Sequence, residues 1–487
     1  MSQKNNFAKK GLTKKSENIA KWYNDIVLRA DLADYSEVKG SMIIKPNGYA
    51  LWEKVHTVLD QKFKENDIKN CYFPLLIPEH LLKKEKKHLA GFSPQLAVVT
   101  HAGGEKLAEP YVLRPTSETI MYKTFADWIH SYRDLPLKIN QWCNVIRWEK
   151  RTYPFLRTTE FLWQEGHTVH QTEKEAIEMT LKALKWYEDF YKDYFAISPY
   201  VGVKSEQEKF AGAKTTYSIE LVIPNGKALQ AATSHNLSDN FSKVFNISFL
   251  DNKEKKCYPF QTSWGLSTRS IGGLVLVHGD DYGLILPPKV ADPQVVILAI
   301  ADKEKIQLEK IKKYAQGVYE KLNKNGLKVK LDIDFNHSLG YRINEWEIRG
   351  VPLRIEIGQK ELKDKKIKYV RRDTFLQSLV FEKDLIIKTK IFLNQIQKDL
   401  LAKSEKIKKD LTVEVNSYQE FKKISQTQKV FIRALWCENK ECEEKIKKET
   451  KFSTRVLEIS KIKENLKGRC IYCGKQAKHK WLFAQSY

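Results

Sequence analysis

The stretch "RWEKRTYPFLRTTEFLWQEGH", Arg147 to His167, combines three arginines, three glutamates and several large aromatic groups. A surface loop has no use for so many aromatics, and a core strand does not hold so many charges. The flanking runs "LPLKINQWCNVIRWE" (135–149) and "EFLWQEGHTVH" (160–170) read as strands joined by a loop of about ten residues that contains Pro154. Alternate residues of a strand share a face, so Arg147 and Glu149 point one way on the first strand. Phe161, Trp163, Glu165 and His167 do so on the second. Paired, the two strands would floor one pocket with all six. A guanidinium grips a phosphate in bidentate fashion and an aromatic face carries a flat base, so the set suits a nucleotide. On spacing alone, the pattern fits an amphipathic strand pair with solvated ion pairs equally well.

The rest of the chain bears on that choice. At 487 residues it exceeds what one core organises, so two or three domains are expected, and 42% hydrophobic composition is enough to fold them. Lys+Arg 84 against Asp+Glu 60 leaves a formal charge of +24, which favours a polyanionic partner such as nucleic acid over a merely basic soluble enzyme. The seven cysteines are too scattered for a disulfide framework and imply a reducing compartment. The basic N-terminus is followed by no apolar leader segment, and no run approaches the ~18 apolar residues of a membrane span. A cytoplasmic protein is therefore expected.

Helical spacing marks Ile19 to Ala30 and Leu51 to Phe63. "CYFPLLIP" (71–78) reads as a strand-like run whose Pro74 suits an edge, a bulge or a subunit contact, and "LLKKEKKHLA" (81–90) as an exposed helix. Thr172 and Glu175 form a capping box, after which Ile177, Leu181, Leu184, Tyr191 and Tyr194 carry a helix to about 195. Two strands surround a Pro-Asn-Gly turn in 217–237, and "TSWGLSTRSIGGLVLVHGD" (262–280) is apolar and punctuated by glycine. The prolines of "LPPKVADP" (286–293) mark a linker. An α/β unit of alternating strands and helices follows, and from about 400 a Lys/Glu-rich stretch runs into two cysteine pairs.

Arg147-x-Glu149, a loop, then Arg157-x-x-x-Phe161 resembles the second signature of the class II aminoacyl-tRNA synthetases. The other two signatures can be placed in order: a long helix leading into a proline-bearing strand (49–66 and Pro74), and "WGLSTRSIGGL" with Arg269 opening a helix. "RPTSET" (114–119), "FLWQEGH" (161–167), "SWGLSTR" (263–269), "WEIRGVPLRIEIG" (346–358) and the terminal "SY" resemble the prolyl-tRNA synthetase family, of the archaeal and eukaryotic-like type. The resemblance spans about residue 15 to Tyr487.

It implies an α+β fold: an antiparallel-sheet catalytic domain over 1–286, with a dimer interface around 49–78, an anticodon-binding α/β domain over 290–395, and a zinc-binding C-terminal domain over 400–487. The implied reaction joins L-proline to ATP, with Mg²⁺, as prolyl-adenylate and then transfers proline to tRNA(Pro). Arg147 would bridge the α-phosphate and the proline carboxylate, and Arg269 would hold the γ-phosphate. Phe161 would stack under adenine, with Glu149, Arg157, Thr158, Gln230 and Thr233 completing the ATP side. Thr116 and Glu118 would accept from the ring nitrogen, Trp163 and His167 would wall the proline ring, and His235 and Ser267 would border it. Read without the resemblance, Thr116 to Glu118 fits a helix cap, and the two histidines fit structural roles.

Threonyl enzymes of this class hold zinc in the pocket through a cysteine and two histidines. Here no cysteine falls between Cys71 and Cys143, so no pocket metal is expected. About a hundred residues separate Phe161 from Gly265, all used by assigned elements, so no editing insertion is expected either. In the α/β unit, Arg342, Trp346, Arg354 and Glu356 are candidates for reading anticodon guanines. Cys437-x4-Cys442 and Cys470-x2-Cys473 offer the four thiolates of a closed zinc site; unpaired thiols are the alternative. The resemblance also implies that the terminal carboxylate of Tyr487 reaches toward the catalytic site. The rival functions are another class II synthetase, notably threonyl or glycyl, and an inactive paralogue that binds tRNA.

Overall fold

The computed structural model describes residues 12–83, 96–300 and 305–487. Of the helix expected over 81–90, the part beyond Lys83 lies outside the described residues.

Helix α1 (Ile19–Arg29) starts at Asn18, whose side chain accepts from the Lys21 amide at 3.0 Å, satisfying one of the donors a helix start leaves open. Helix α2 (Pro46–Lys64) begins on proline, which lacks a donor the first turn could not use. The run 71–78 is not one strand. Strand β1 (Lys69–Asn70) ends before Pro74, and Leu76–Pro78 joins a separate small sheet with Glu105–Leu113 and Val98–Ala102. Proline cannot donate to a ladder, and the chain changes sheets there.

After α3 (Glu118–Trp128) come β2 (Leu137–Ile146) and β3 (Glu160–His170), paired antiparallel from Leu137↔Val169 to Ile146↔Glu160. Strand β2 stops one residue short of Arg147, so alternation does not set the direction of Arg147 and Glu149. The Arg147 amide still donates to the Thr159 carbonyl at 2.8 Å, and a tight hairpin closed by Tyr153 and Arg157 then takes the chain out of the ladder.

Helix α4 (Glu173–Asp193) carries the capping box of Thr172 and Glu175. Its rotation differs from the expected one: Ile177 and Leu181 are each 38% exposed. The buried hydroxyls of Tyr187, which donates to Gln164 at 2.5 Å, and Tyr191, 2.6 Å from Ser270 Oγ, fix the inner face instead. Strands β4 (Tyr200–Val203), β5 (Thr215–Val222), β6 (Ala228–Ser238) and β7 (Phe260–Ser267) follow, and α5 (Arg269–His278) starts directly after β7. Gly166 on β3 is required where it stands, because a Cβ there would lie 2.1 Å from the Trp264 ring on β7. Residues 171–259 are taken up by α4, β4, β5, β6, the short helix Asn240–Phe245 and a small hairpin, which leaves no segment for an inserted domain.

The proline-marked connection 286–293 is not an exposed linker. Leu286, Val290 and Ala291 are buried in the first core, because the following unit docks tightly here: Arg372 grips the Asp280 carboxylate with two bonds of 2.9 and 2.6 Å. That unit contains β8 (Val295–Ala299), α6 (Lys305–Lys324), β9 (Val329–Asp332), α7 (Leu339–Arg349), β10 (Leu353–Ile357), β11 (Lys366–Arg371) and β12 (Gln377–Phe381). Its sheet order is β9-β8-β10-β11-β12, parallel through β10 and antiparallel beyond. Helix α8 (Leu385–Asp410) runs without interruption across residues 395–400, where a boundary between domains is expected. Its Lys-, Ile- and Leu-rich sequence has no glycine or proline to stop it.

The last elements are β13 (Thr412–Glu414), β14 (Phe431–Trp436), α9 (Lys440–Thr450), β15 (Ser453–Glu458) and β16 (His479–Ala484). These four strands extend the catalytic sheet: among the described residues, eleven strands run in the order β13-β14-β16-β15-β4-β5-β6-β7-β3-β2-β1. At the β15/β4 seam, Leu457 faces Val203 and Glu458 faces Gly202. Beside it lies a buried charge cluster. Glu220 of β5 receives Arg455 of β15 at 2.7 and 3.1 Å and Lys204 at 3.2 Å, and Arg455 also donates to Ser486 at 2.9 Å.

Candidate active site

The sheet bends over a cleft of about 290 Å³, floored by β3, β6 and β7. Arg147 enters it from the end of β2, held by a bond from Nε to the Pro115 carbonyl at 3.0 Å. Its guanidinium lies 5.5 Å from the Phe161 ring centroid and 5.4 Å from that of Trp163, the cation–π range. Burial and then the charge of Arg269 lower its pKa to about 10. Arg269 is the first residue of α5, where the positive end of the helix dipole adds to its charge. Its Nε is fixed on the Leu156 carbonyl at 3.0 Å, and burial followed by Arg157 lowers its pKa as well. Two half-buried cations, each with its charge made costlier by desolvation and a neighbouring arginine, are a place for a polyanion.

The opposite end of the cleft is acidic. The Thr116 hydroxyl donates to the Glu118 carboxylate at the start of α3. Glu165 is fully buried and receives Gln141 at 2.9 Å, the Ser117 hydroxyl and His167 Nε2 at 3.1 Å. Burial pushes its pKa up, and the hydrogen bonds and His167 outweigh burial, so the pKa stays below the ordinary range. His167 Nδ1 lies 3.1 Å from the Tyr122 hydroxyl. His235 lies 4.8 Å from the Phe210 ring, with Nδ1 2.9 Å from Thr216 Oγ1, and burial lowers its pKa to about 3. His235 is therefore neutral at physiological pH.

Thr116, Glu118, Arg147, Phe161, Trp163, His167, Gln230, Thr233, His235, Ser267 and Arg269 all line this cleft. Glu149, Arg157 and Thr158 do not. Arg157 pairs with Glu149 at 2.7 and 2.8 Å above Arg269, near enough to act on its charge, and the Thr158 hydroxyl donates to the Glu160 carbonyl at 2.7 Å. The Tyr487 amide donates to Ala228 at 2.9 Å, and its ring packs on the main core outside the cleft lining.

Sequence reasoning set Glu165 on the pocket floor without giving it a role, and left two further features out of the site. Glu165 stands between Trp163 and His167 on the same strand face, and that alternation was the signal for it. Arg114 is fully buried and ties Phe73 at 2.7 Å to Asn144 at 3.0 and 3.2 Å; a charged residue in "RPTSET" carries no mark of burial. The wall formed by Glu208, Lys209 and Phe210 comes from an irregular segment without periodicity.

In the α/β unit, Arg342 is buried and donates to Asp332 at 2.9 and 2.7 Å and to the Ala299 carbonyl at 3.0 Å, and Trp346 donates to Asp332 at 2.6 Å. Arg354 pairs with Glu347 at 2.6 Å and with Glu356 at 2.9 Å, and Glu356 also receives Lys368 at 2.9 Å. In the last unit, the sulfurs of Cys437, Cys442, Cys470 and Cys473 lie within 4.8 Å of one another, and Cys437 is 3.6 Å from both Cys442 and Cys473. Four thiolates about 2.3 Å from one tetrahedral ion lie about 3.8 Å apart, close to the spacing of this cluster, so it could hold a metal.

Residues 102–278 match the family described as the tRNA synthetase class II core domain (G, H, P, S and T), and residues 294–390 match the anticodon binding domain. The cleft is thus that of a class II aminoacyl-tRNA synthetase. Residues 418–487 match the prolyl-tRNA synthetase C-terminal family. A proline–tRNA ligase of Borrelia garinii subsp. bavariensis is 48% identical over 98% of this chain and 99% of its own, and one of Alkaliphilus oremlandii is 45% identical over the whole of both. A crystal structure of prolyl-tRNA synthetase from Cryptosporidium parvum, complexed with halofuginone and AMPPNP, superposes with a TM-score of 0.93 at 42% identity, covering 98% of this chain and 99% of that one. The chain belongs to the prolyl-tRNA synthetase family and is an aminoacyl-tRNA ligase. Among the described residues, no helix is long and apolar enough to cross a membrane.

Proposed function

We propose that the cleft activates L-proline with ATP, which enters as its Mg²⁺ complex, and passes the prolyl group to tRNA(Pro). The observation that carries this reading is the pair of half-buried arginines, Arg147 and Arg269, set between an aromatic floor and an acidic end. Adenylate formation needs no protein nucleophile: the proline carboxylate displaces pyrophosphate at the α-phosphorus. Catalysis is then positioning and neutralisation of charge on the phosphorus oxygens. Arg147 touches both substrates, Arg269 holds the γ-phosphate, and Phe161 carries adenine. Arg157 and Glu149 close the nucleotide side from the rim, with Gln230 and Thr233 beneath; Thr158 serves by holding the chain at Glu160. At the acidic end, Thr116 and Glu118 accept from the ring nitrogen, while Trp163, His167, His235 and Ser267 bound the ring. A neutral His235 adds no positive charge beside that cationic nitrogen.

Pyrophosphate exchange measured with each of the twenty amino acids tests this reading. Exchange with proline is expected. No exchange at all would leave a tRNA-binding paralogue, and exchange with threonine or glycine but not proline would move the specificity. Pockets discriminate poorly against smaller apolar substrates, so some exchange with alanine or cysteine is compatible with it.

The division of labour follows the chain: catalysis on 1–286, anticodon binding on 290–395 with Arg342, Trp346, Arg354 and Glu356 as its candidate residues, and a zinc site on 400–487. The four cysteines would hold Zn²⁺, which supplies a cross-link between the end of β14, the first turn of α9 and the hairpin around 468–477. Cys470→Ser is expected to lower bound zinc from one per chain toward zero in elemental analysis; a variant that retains one zinc refutes the four-cysteine site. A homodimer is supported by large apolar side chains exposed in and beside 49–78: Tyr49 at 44%, Tyr72 at 69%, Leu76 at 42% and Trp128 at 49%. The place of work is the cytoplasm, and the terminal carboxylate of Tyr487 completes the catalytic side.

A further inference from the structure

The wall of the cleft nearest His235 is lined by Glu208, Lys209 and Phe210, the end of a segment, 204–210, that is neither strand nor helix. Inside the segment the bonds are local: the amides of Glu208 and Lys209 donate to the Ser205 carbonyl at 3.2 and 2.9 Å, and Lys209 pairs with Glu206 at 2.6 Å. Its first residue is tied to the catalytic sheet, the Lys204 amide donating to the Thr216 carbonyl at 2.8 Å and Nζ pairing with Glu220 at 3.2 Å, and further bonds come from the C-terminal unit. The Ser205 hydroxyl donates to Glu443 at 2.8 Å, Glu443 also receives the Thr454 hydroxyl, and Lys447 pairs with Glu208 at 2.9 Å. Glu443 and Lys447 are one turn apart on α9, the helix that carries Cys442. At its other end the wall reaches the ligand side: the Phe210 amide donates to Thr216 Oγ1 at 2.9 Å, and that same oxygen lies 2.9 Å from His235 Nδ1.

Glu443 is only 3% exposed, and the two partners found for its carboxylate oxygen are neutral hydroxyls. A carboxylate buried on neutral hydroxyls, with Lys447 one turn away acting on it only through its charge, is costly and contributes little to general stability. Its position makes sense as a fixed acceptor that pins Ser205 and thereby the wall.

We propose that Glu443, assisted by Lys447, is a positioning residue for the amino-acid pocket: it holds the 204–210 wall, and with it Phe210 and the Thr216–His235 pair, in the geometry that binds the amino acid. This rests on the reading of the cleft as a proline site. The C-terminal unit thereby sets amino-acid affinity without touching the substrate.

The test is steady-state pyrophosphate exchange with proline and ATP varied separately, in the full-length zinc-loaded enzyme. Glu443→Ala is expected to raise the KM for proline about tenfold, the scale of a lost hydrogen bond to a charged group, with the KM for ATP within about twofold of wild type and zinc content unchanged. Glu443→Gln, which keeps an acceptor for both hydroxyls, is expected to restore most of the difference. Ser205→Ala removes the same bond from the wall side and is expected to reproduce the proline effect even where Glu443→Ala does not fold. A proline KM unchanged in Ser205→Ala and in folded Glu443→Ala overturns the proposal, as does a parallel rise in both KM values. Absence of proline-dependent exchange in the wild type would instead overturn the reading of the cleft.

Discussion

Arg147→Ala is expected to lower proline-dependent pyrophosphate exchange by about 10²–10³-fold while leaving tRNA affinity within about twofold. The factor is that of one preorganised donor removed from a site where charge develops on oxygen. The loss should be in kcat as well as in kcat/KM, because in the proposed reaction the guanidinium serves the pentacovalent phosphorus more than either ground state. A specific reason makes this arginine irreplaceable within the cleft. Arg269 is anchored to the Leu156 carbonyl at the far side, and Lys150 and Arg151, which follow at the junction of β2 and the hairpin, do not line the cleft. Arg147→Lys keeps the charge and is still expected to fall well short of wild type, since an ammonium cannot lie flat over Phe161 and Trp163 and also donate in two directions. Exchange at the wild-type rate in the alanine variant would remove Arg147 from the site.

Glu220→Ala is expected to destabilise the fold by about 3–5 kcal/mol, the range for breaking a buried ion pair from one side. The substitution leaves Arg455 and Lys204 in the interior without the carboxylate that both pair with, and both are almost completely buried. Equilibrium denaturation of the wild type and variant measures it, and a loss below about 1 kcal/mol would mean that water reaches the cluster. The same carboxylate gives the pH dependence a sign. Burial alone would raise its pKa; Arg455 and Lys204 outweigh burial and hold the folded-state pKa below the ordinary 4.5. Its contribution is therefore complete above pH 4.5 and is lost as the pH falls through the depressed value. Acid unfolding of Glu220→Ala should accordingly be less steep than that of the wild type.

The floor of the cleft was legible because strands advertise their faces. Phe161, Trp163, Glu165 and His167 alternate, and β3 begins and ends at the residues the pattern predicts. Arg147 was legible as a site residue, although the reason was incomplete, since it stands beyond the end of its strand and is placed by the Thr159 and Pro115 carbonyls. Alternation has nothing to say about such a residue. The rotation of α4 was misread because helical spacing ranks Ile177 and Leu181 by hydrophobicity, whereas two tyrosine hydroxyls with buried partners decided the inner face. Glu160, for which the sequence offers no role, accepts from the Asn144 amide at 2.7 Å and so holds the residue that grips Arg114. Long-range partners of this kind, like the joining of β15 to β4 across some 250 residues, leave no local trace in composition or period.

That seam has a consequence for the order in which the protein is made. Strand β4 leaves the ribosome while β15, its neighbour, is still about 250 codons away, which at about 5–20 residues per second is on the order of 10–50 s. For that interval the nascent chain carries an open strand edge, a template for pairing with other chains, and the Glu220 and Lys204 side chains beside it await Arg455. Premature release between residues 270 and 453 would yield a polypeptide that has all the residues of the nucleotide-binding cleft and an uncapped sheet, so translation errors late in the message would be read out as aggregation rather than as a shorter enzyme.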